Sequence, residues 1–461
     1  MSLIGDLLRI LLINPPHLVG DKIPLGYQKT PSVPLGLCYI ASTLESKGVT
    51  AKIIDMEMGN IGLGEVGQMI SDLEPDIVGV TSFTCNHPNA IMIARAVKSC
   101  REEIVIVLGG VHATFMHKEI LETVPEIDIV VRFEGEYTMC DIIDALEGGK
   151  KLDSVNGITY RDGGKIVVNR LRQPIEYLDE LPFPALHLLD PPIESYISKG
   201  EKKGLPMLTT RGCPFDCIFC STTALHGRKY RTRSVGNVID EIEYLQNKYR
   251  VNIISFVDDN FTMQNDRVLD LCNEIKKRNL SIEWGCSTRI DLLSDDLLRT
   301  MRSAGCGNIF FGLESASQEV LDAIRKGFSI EKAKEVVKMA EKLGIKTHCS
   351  FIIGLPRETV ESLNEMVEFV DEVKPSARVL PNILDVLPGT ELWASRTEYY
   401  ANTPDIPVAD ITRIQLEIFF KFYEVNAKTS ELQKIAPPDI DLIDKADPYD
   451  QEWQIGREQL K

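Results

Sequence analysis

Three cysteines within one short segment constrain this chain more than any other feature. The segment Arg211-Gly-Cys-Pro-Phe-Asp-Cys-Ile-Phe-Cys220 sets Cys213, Cys217 and Cys220 at C-x3-C-x2-C spacing, directly after the apolar run 205–210. Thiolates are the usual ligands of iron–sulfur clusters, and spacing this tight lets one loop wrap one cluster. Three thiolates can hold three irons of a 4Fe–4S cube, which leaves a fourth iron open to another ligand. A zinc site needs a fourth Cys or His close by. His226 is the near candidate, and its spacing fits no common zinc pattern. A disulfide framework does not suit a chain of 461 residues with eleven scattered cysteines.

A chain of this length holds two or three domains and can bury large cores. Its net charge of −17 argues against a nucleic-acid or anionic-membrane surface. Dispersed cysteines fit a reducing compartment. The start Met1-Ser-Leu-Ile-Gly has no basic stretch before an apolar core, and no apolar run reaches the ~20 residues of a membrane span. The expectation is a cytoplasmic protein.

Residues 1–150 alternate strand and helix signals. The run 8–14 ends at Pro15-Pro16, as a buried parallel strand does, and Pro34 opens a helical stretch that closes near Lys47-Gly48. Runs 51–56, 76–82, 104–109 and 128–133 read as further strands. Five such units predict an α/β, doubly wound (Rossmann-like) parallel sheet, whose ligands sit at the carboxyl ends of the strands. Those ends carry Asn14-Pro15-Pro16, Thr81-Ser82-Phe83, Gly109-Gly110-Val111-His112 and Glu134-Gly135-Glu136. Gly-x-Gly-x-x-Gly is absent from the first turn, which disfavours a dinucleotide. Residues 151–200 read as a connector: a hairpin signal around Arg161-Asp-Gly-Gly164, then proline-rich crossings.

From 201 to 390, strand and helix alternate about six times, which predicts a partial (β/α)6 barrel with polar residues gathered at the carboxyl ends of its strands. These are Asp258-Asp259-Asn260, Ser287-Thr288-Arg289, Glu314-Ser315 and Gly354-Leu355-Pro356. Ser329 and Thr359 look like helix N-caps without the full reciprocal box. Residues 391–461 read as a small helical region around 411–424.

The cysteine loop, with Phe219 before its third thiol, resembles the signature of the radical S-adenosylmethionine (radical SAM) enzymes. The first domain resembles the cobalamin-binding domain that precedes the cluster in one large subgroup of them. That resemblance implies a 4Fe–4S cluster on Cys213, Cys217 and Cys220, SAM and cobalamin as cofactors, and an external donor such as flavodoxin or ferredoxin. It implies SAM contacts from Phe219, Asp258, Asp259, Arg289 and Glu314, with Arg289 pairing the SAM carboxylate as a fork. Cobalamin contacts implied are Pro15, Leu35, Gly36, Thr81, Ser82, Gly109, Gly110, His112, Phe133, Glu134, Gly135 and Glu136. Pro15-Pro16-His17-Leu18-Val19-Gly20 keeps the His and Gly of the Asp-x-His-x-x-Gly cobalamin motif and lacks its Asp. The Asp orients the imidazole, so cobalt without a protein imidazole is expected.

The implied reaction is methylation. A 5′-deoxyadenosyl radical takes hydrogen from an unactivated carbon, and methylcobalamin supplies the methyl group, in an anaerobic setting. The substrate stays open between a protein residue, such as glutamine in methyl-coenzyme M reductase, a lipid and a small molecule. Cyclisation or rearrangement on the same scaffold is an alternative. A methylthiotransferase normally adds three amino-terminal cluster cysteines, and Cys38, Cys85 and Cys100 do not form such a pattern. A sensor without turnover is opposed by Arg289 and Glu314.

Overall fold

The computed structural model describes residues 8–17, 32–197 and 200–396. The helical reading of 411–424 lies outside them. The chain divides into two compact units, residues 1–212 with 222–252, and residues 213–221 with 253–461.

The first unit is built on an eight-stranded sheet. Its strands are β1 (Ile10–Asn14), β2 (Ala51–Asp55), β3 (Ile77–Thr81), β4 (Val105–Gly109), β5 (Ile129–Val131), β6 (Ile158–Asp162), β7 (Lys165–Val168) and β8 (Leu189–Asp190), in the order β7-β6-β5-β4-β3-β1-β2-β8. The five strands from β1 to β5 are parallel and ordered 2-1-3-4-5, one of the two common doubly wound orders. Every residue of β1 is buried, because helices cover both faces of a parallel sheet and leave no side for polar alternation. Leu11, Ile13, Val78, Val80, Ile106 and Leu108 share one apolar cluster with Ile93, Ala94 and Val97 of helix His87–Cys100. The order reverses at β1, which has β2 on one side and β3 on the other. The crevice at the carboxyl ends of β1 and β3 is therefore the place where such a sheet takes its ligand.

The stretch read as a connector supplies three of these strands. β6 runs antiparallel to β5 and turns into β7 through Gly163-Gly164, both at positive φ, and β8 pairs with β2 at the opposite edge. Also in the first unit are β9 (Gly204–Met207) and the short antiparallel pair β10 (Thr210–Arg211) and β11 (Arg231–Thr232).

The second unit carries β12 (Ile253–Phe256), β13 (Glu283–Thr288), β14 (Cys306–Glu314), β15 (Lys346–Ile353) and β16 (Arg378–Ile383), all parallel and paired in sequential order. Helices Asn265–Lys277, Asp295–Ser303, Ile330–Lys342 and Val360–Val373 alternate with them, as in a partial (β/α) barrel. Trp284, Phe256 and Phe261 fill its core, with Phe256 stacked on Phe261 at 4.6 Å. The cap of helix Val360–Val373 differs from expectation. Thr359 accepts from the Ser362 N–H, and the Ser362 hydroxyl accepts from the Thr359 N–H, so serine completes the box in place of glutamate.

Candidate functional site

The cluster loop belongs to the second unit, and backbone hydrogen bonds hold it there. The Ile218 N–H donates to the Ile324 carbonyl at 3.4 Å, and the Ile218 carbonyl accepts from Leu392 N–H at 3.1 Å. Cys220 N–H closes a turn on the Cys217 carbonyl at 3.2 Å. Cys213, Cys217 and Cys220 form no disulfide, and each is partly exposed. Burial pushes the thiols of Cys213 and Cys217 up. At Cys213 a backbone N–H from Phe215 opposes that rise; at Cys217 the charges of Lys326 and Arg289 do. Among the described residues no three His, Cys, Asp or Glu side chains converge on a single-ion site. Thiols that each bind a different iron of one cube do not need to. The donor set, three soft sulfurs on one loop beside two cations, fits a 4Fe–4S cluster.

Of the polar residues after the barrel strands, Asp259, Arg289 and Glu314 come near this loop. Asp258 is buried and Asp259 exposed, and the charge of Asp259 acts on Cys213. Glu314 ends β14 at a register shift, in the left-handed region at φ 68°, a conformation that costs a non-glycine residue about 1–3 kcal/mol. Its Oε1 accepts from Lys326 Nζ at 2.8 Å, and both side chains are buried. Lys326 Nζ also stands 5.7 Å from the ring centre of Phe219. Arg289 departs from expectation. Its Nε and Nη2 both meet the Asp291 carboxylate at 3.0 Å, and Nη2 also donates to the Lys326 carbonyl. The Nε/Nη2 edge of the guanidinium is thus paired with Asp291.

Sequence reasoning missed Lys326 and Asp291, and it gave Asn260 no role of its own. Asn260 is fully buried, and its Oδ1 accepts from Thr288 Oγ1 at 2.9 Å and from the Arg289 N–H at 3.4 Å, which fixes the end of β13. Asp291 was visible as an acid two residues beyond the arginine.

In the first unit the parallel strands bring Pro15, Thr81, Ser82, Gly109, Gly110 and His112 to one edge of the sheet, with Leu35 and Gly36 opening helix Leu35–Ser46. Ser82 N–H donates to the Gly109 carbonyl, and the Ser82 carbonyl accepts from His112 N–H at 3.1 Å. Between them Gly110 sits at φ 100°, where an added Cβ would lie 2.6 Å from the Ser82 oxygen, so only glycine fits. His112 stacks on His87 with ring centres 4.1 Å apart. Thr84 Oγ1 meets His112 Nδ1 at 3.2 Å, and Ser82 Oγ meets His87 Nδ1 at 2.9 Å. Burial lowers both imidazoles, His87 to about 4 with a further push from His112. His87 was not singled out from the sequence.

This edge fits a corrin. A Cβ on Gly36 would meet nothing within 4 Å, so bare backbone lies open there, and one on Gly109 would make only ordinary contact with Val131 at 3.9 Å. Asn86 is fully buried, its Oδ1 accepts from Phe83 N–H at 2.7 Å, and its Nδ2 has no partner. His17 is separate from the pair. Its N–H donates to Glu57 Oε2 at 2.8 Å, and its ring Nδ1 stands 3.8 Å from that oxygen, beyond hydrogen-bond reach. Leu18, Val19 and Gly20 lie outside the described residues.

Phe133, Glu134, Gly135 and Glu136 follow β5. Phe133 adopts φ 65°, and its N–H donates to Thr114 Oγ1 at 2.9 Å. The two glutamates were expected against cobalamin, and the structure places their carboxylates on arginines. Arg211 donates to Glu134 Oε1 at 3.2 Å and to Glu136 Oε1 at 2.5 Å, while Arg231 Nη1 stands 2.8 Å from Glu134 Oε1. All four side chains are buried. His226, the residue weighed for zinc, lies in the field of these charges, its Nδ1 buried without a partner. Next in sequence, Gly212 sits at φ 94° with a Cβ position 2.3 Å from the Lys229 carbonyl, which explains the glycine before Cys213.

Residues 207–370 match the Radical SAM superfamily, and residues 24–143 match the B12 binding domain. An uncharacterized methyltransferase of Pyrococcus horikoshii is 36% identical over 386 residues, 84% of this chain and 82% of that protein. The anaerobic magnesium-protoporphyrin IX monomethyl ester cyclase of Rubrivivax gelatinosus is 34% identical over 375 residues, 80% of this chain and 66% of that longer protein. Among solved structures, the radical SAM methyltransferase TsrM of Kitasatospora setae, with cobalamin and a 4Fe–4S cluster bound, superimposes at TM-score 0.70 and 18% identity over 87% of this chain and 76% of its own; it shows the same fold. With both domains matched and a methyltransferase relative spanning most of its length, this chain belongs to the cobalamin-dependent radical SAM methyltransferase family, whose cofactors are a 4Fe–4S cluster, SAM and cobalamin.

Proposed function

We propose that this enzyme methylates an unactivated carbon of its substrate by radical chemistry. The observation that carries the reading is the union in one chain of a three-thiol loop and a doubly wound sheet with open backbone at its switch point. When bound, the cluster supplies the electron that opens SAM, and cobalamin carries the methyl group. The chain's own residues bind and orient. Cys213, Cys217 and Cys220 would hold three corners of the cluster and leave one for SAM. Phe219, Asp258, Asp259 and Glu314 line the SAM side, and Lys326 neutralises Glu314. Pro15, Leu35, Gly36, Thr81, Ser82, Gly109, Gly110, His112, Phe133 and Gly135 border the cobalamin. Glu134 and Glu136, paired with Arg211 and Arg231, anchor the segment that carries Phe133 and Gly135. Hydrogen abstraction needs no acid–base pair; it needs the reacting atoms held in line, with water kept away. An external reductant such as flavodoxin or ferredoxin completes the system.

Mass spectrometry of cells with and without the protein tests the substrate. A product heavier by one methyl group supports the reading, with protein residues such as glutamine in methyl-coenzyme M reductase searched alongside lipids and small molecules. A second reading, cyclisation or rearrangement, is favoured by the similarity to the cyclase. It would give a product without added methyl.

A further inference from the structure

Arg289 stands in contact with one particular thiol of the cluster loop. Its Nη1 lies 3.9 Å from Cys217 Sγ, within reach of an N–H···S hydrogen bond. Four other contacts hold the guanidinium there. Asp291 takes Nε and Nη2 as a two-pronged pair, the Lys326 carbonyl takes Nη2 again, and the Phe215 ring lies under the guanidinium carbon at 3.6 Å. The Phe328 ring is also near, at 5.8 Å. Phe215 sits between Cys213 and Cys217 in sequence, so the arginine packs on the loop as well as bonding to it. The side chain is buried. Cys217 Sγ has a second polar neighbour, the Arg325 carbonyl at 3.9 Å, which accepts from the thiol. That bond needs the sulfur's proton and ends when the sulfur becomes a metal ligand. The bond from Arg289 needs the sulfur's lone pair and persists.

Resting on the cluster reading above, we infer that Arg289 is a positioning residue for the cluster: it seats Cys217 and stabilises negative charge on that sulfur, and it is not the clamp for the SAM carboxylate. The chemistry follows from the geometry. Reduction adds an electron to the cluster. A fixed cation with an N–H directed at one ligand sulfur stabilises that added charge and raises the reduction potential. The carboxylate of Asp291 both aims the guanidinium and offsets part of its charge.

The test is a redox titration of the reconstituted cluster without SAM, followed by paramagnetic resonance, beside a SAM dissociation constant from equilibrium dialysis. Arg289→Gln is expected to retain about four irons, to titrate at a more negative potential than wild type, and to bind SAM within about threefold of it. Arg289→Lys restores the charge and should recover part of the potential. Asp291→Asn keeps the arginine and removes its counter-charge. It is expected to move the potential the other way, and it serves if Arg289→Gln cannot hold the cluster. A SAM dissociation constant raised tenfold or more in Arg289→Gln, with the potential unmoved, overturns the inference. So does Asp291→Asn that tightens SAM and leaves the potential where it was. Wild-type protein that binds no cluster would instead overturn the functional reading.

Discussion

Replacing Cys213, Cys217 and Cys220 together by alanine is expected to remove the cluster's charge-transfer absorption and all SAM cleavage after anaerobic reconstitution, because these thiolates are the ligands that would hold its irons. Persistence of that absorption in the triple variant would show that the loop has been misread. A second residue, His226, is expected to make the fold sensitive to acid. Burial, helped by the Arg211 charge, lowers its imidazole to about 4. The unfolded imidazole titrates near 6.5. Between those values the unfolded chain binds the extra proton, so stability is full above about pH 6.5 and falls as pH drops toward 4. His226→Gln should flatten the stability–pH slope in that window by up to about 1.4 kcal/mol per pH unit, the limit for one proton. Urea unfolding at pH 5, 6 and 7 measures it; equal slopes in both proteins would place His226 in water.

The segment after β5 and the strand pair β10–β11 are joined by Arg211 and Arg231 through Glu134 and Glu136. Ile175 N–H adds a bond to Glu134 Oε2 at 2.6 Å, and the charges of Arg211 and Arg231 help hold the Glu134 carboxyl below its usual range against the pull of burial. Breaking one member of a buried ion network leaves its partners uncompensated, a loss of about 3–5 kcal/mol. Glu134→Leu is expected to fall in that range by urea denaturation; a loss under about 1 kcal/mol, the size of an exposed pair, would contradict it. This network also shows what the sequence hides. β1 was legible because an unbroken Ile-Leu-Leu-Ile run ending at two prolines has few other uses in an α/β chain. Arg211 and Glu134 stand 77 positions apart and leave no periodic trace. The two residues of β8 are too few for any pattern. The serine-completed box at Thr359 was overlooked because a hydroxyl did the work assigned to glutamate. The pairing of Arg289 was not seen for a simpler reason: the carboxylate that takes its Nε and Nη2 is two residues away, and only a remote partner was considered.

For the whole molecule, the two domains have separate cofactors, and a methylation that uses both has a fixed stoichiometry. Taking hydrogen from the substrate consumes one SAM and leaves 5′-deoxyadenosine and methionine. Supplying the methyl group consumes a second and leaves S-adenosylhomocysteine. Turnover is therefore expected to release 5′-deoxyadenosine and S-adenosylhomocysteine in equal amounts, one of each per product. Substrate deuterated at the target carbon should pass its deuterium to 5′-deoxyadenosine, and SAM labelled on its methyl group should label the product. The cysteine variants separate the two halves, because they remove the cluster and leave the doubly wound sheet untouched. In them 5′-deoxyadenosine should vanish, while the protein still takes up cobalamin. A wild-type reaction that accumulates 5′-deoxyadenosine with an unlabelled product would instead mark the chemistry as cyclisation or rearrangement. That result is open to this chain because its relatives include both a methyltransferase and a cyclase, and in either reaction the cluster's part would end once the substrate radical is made.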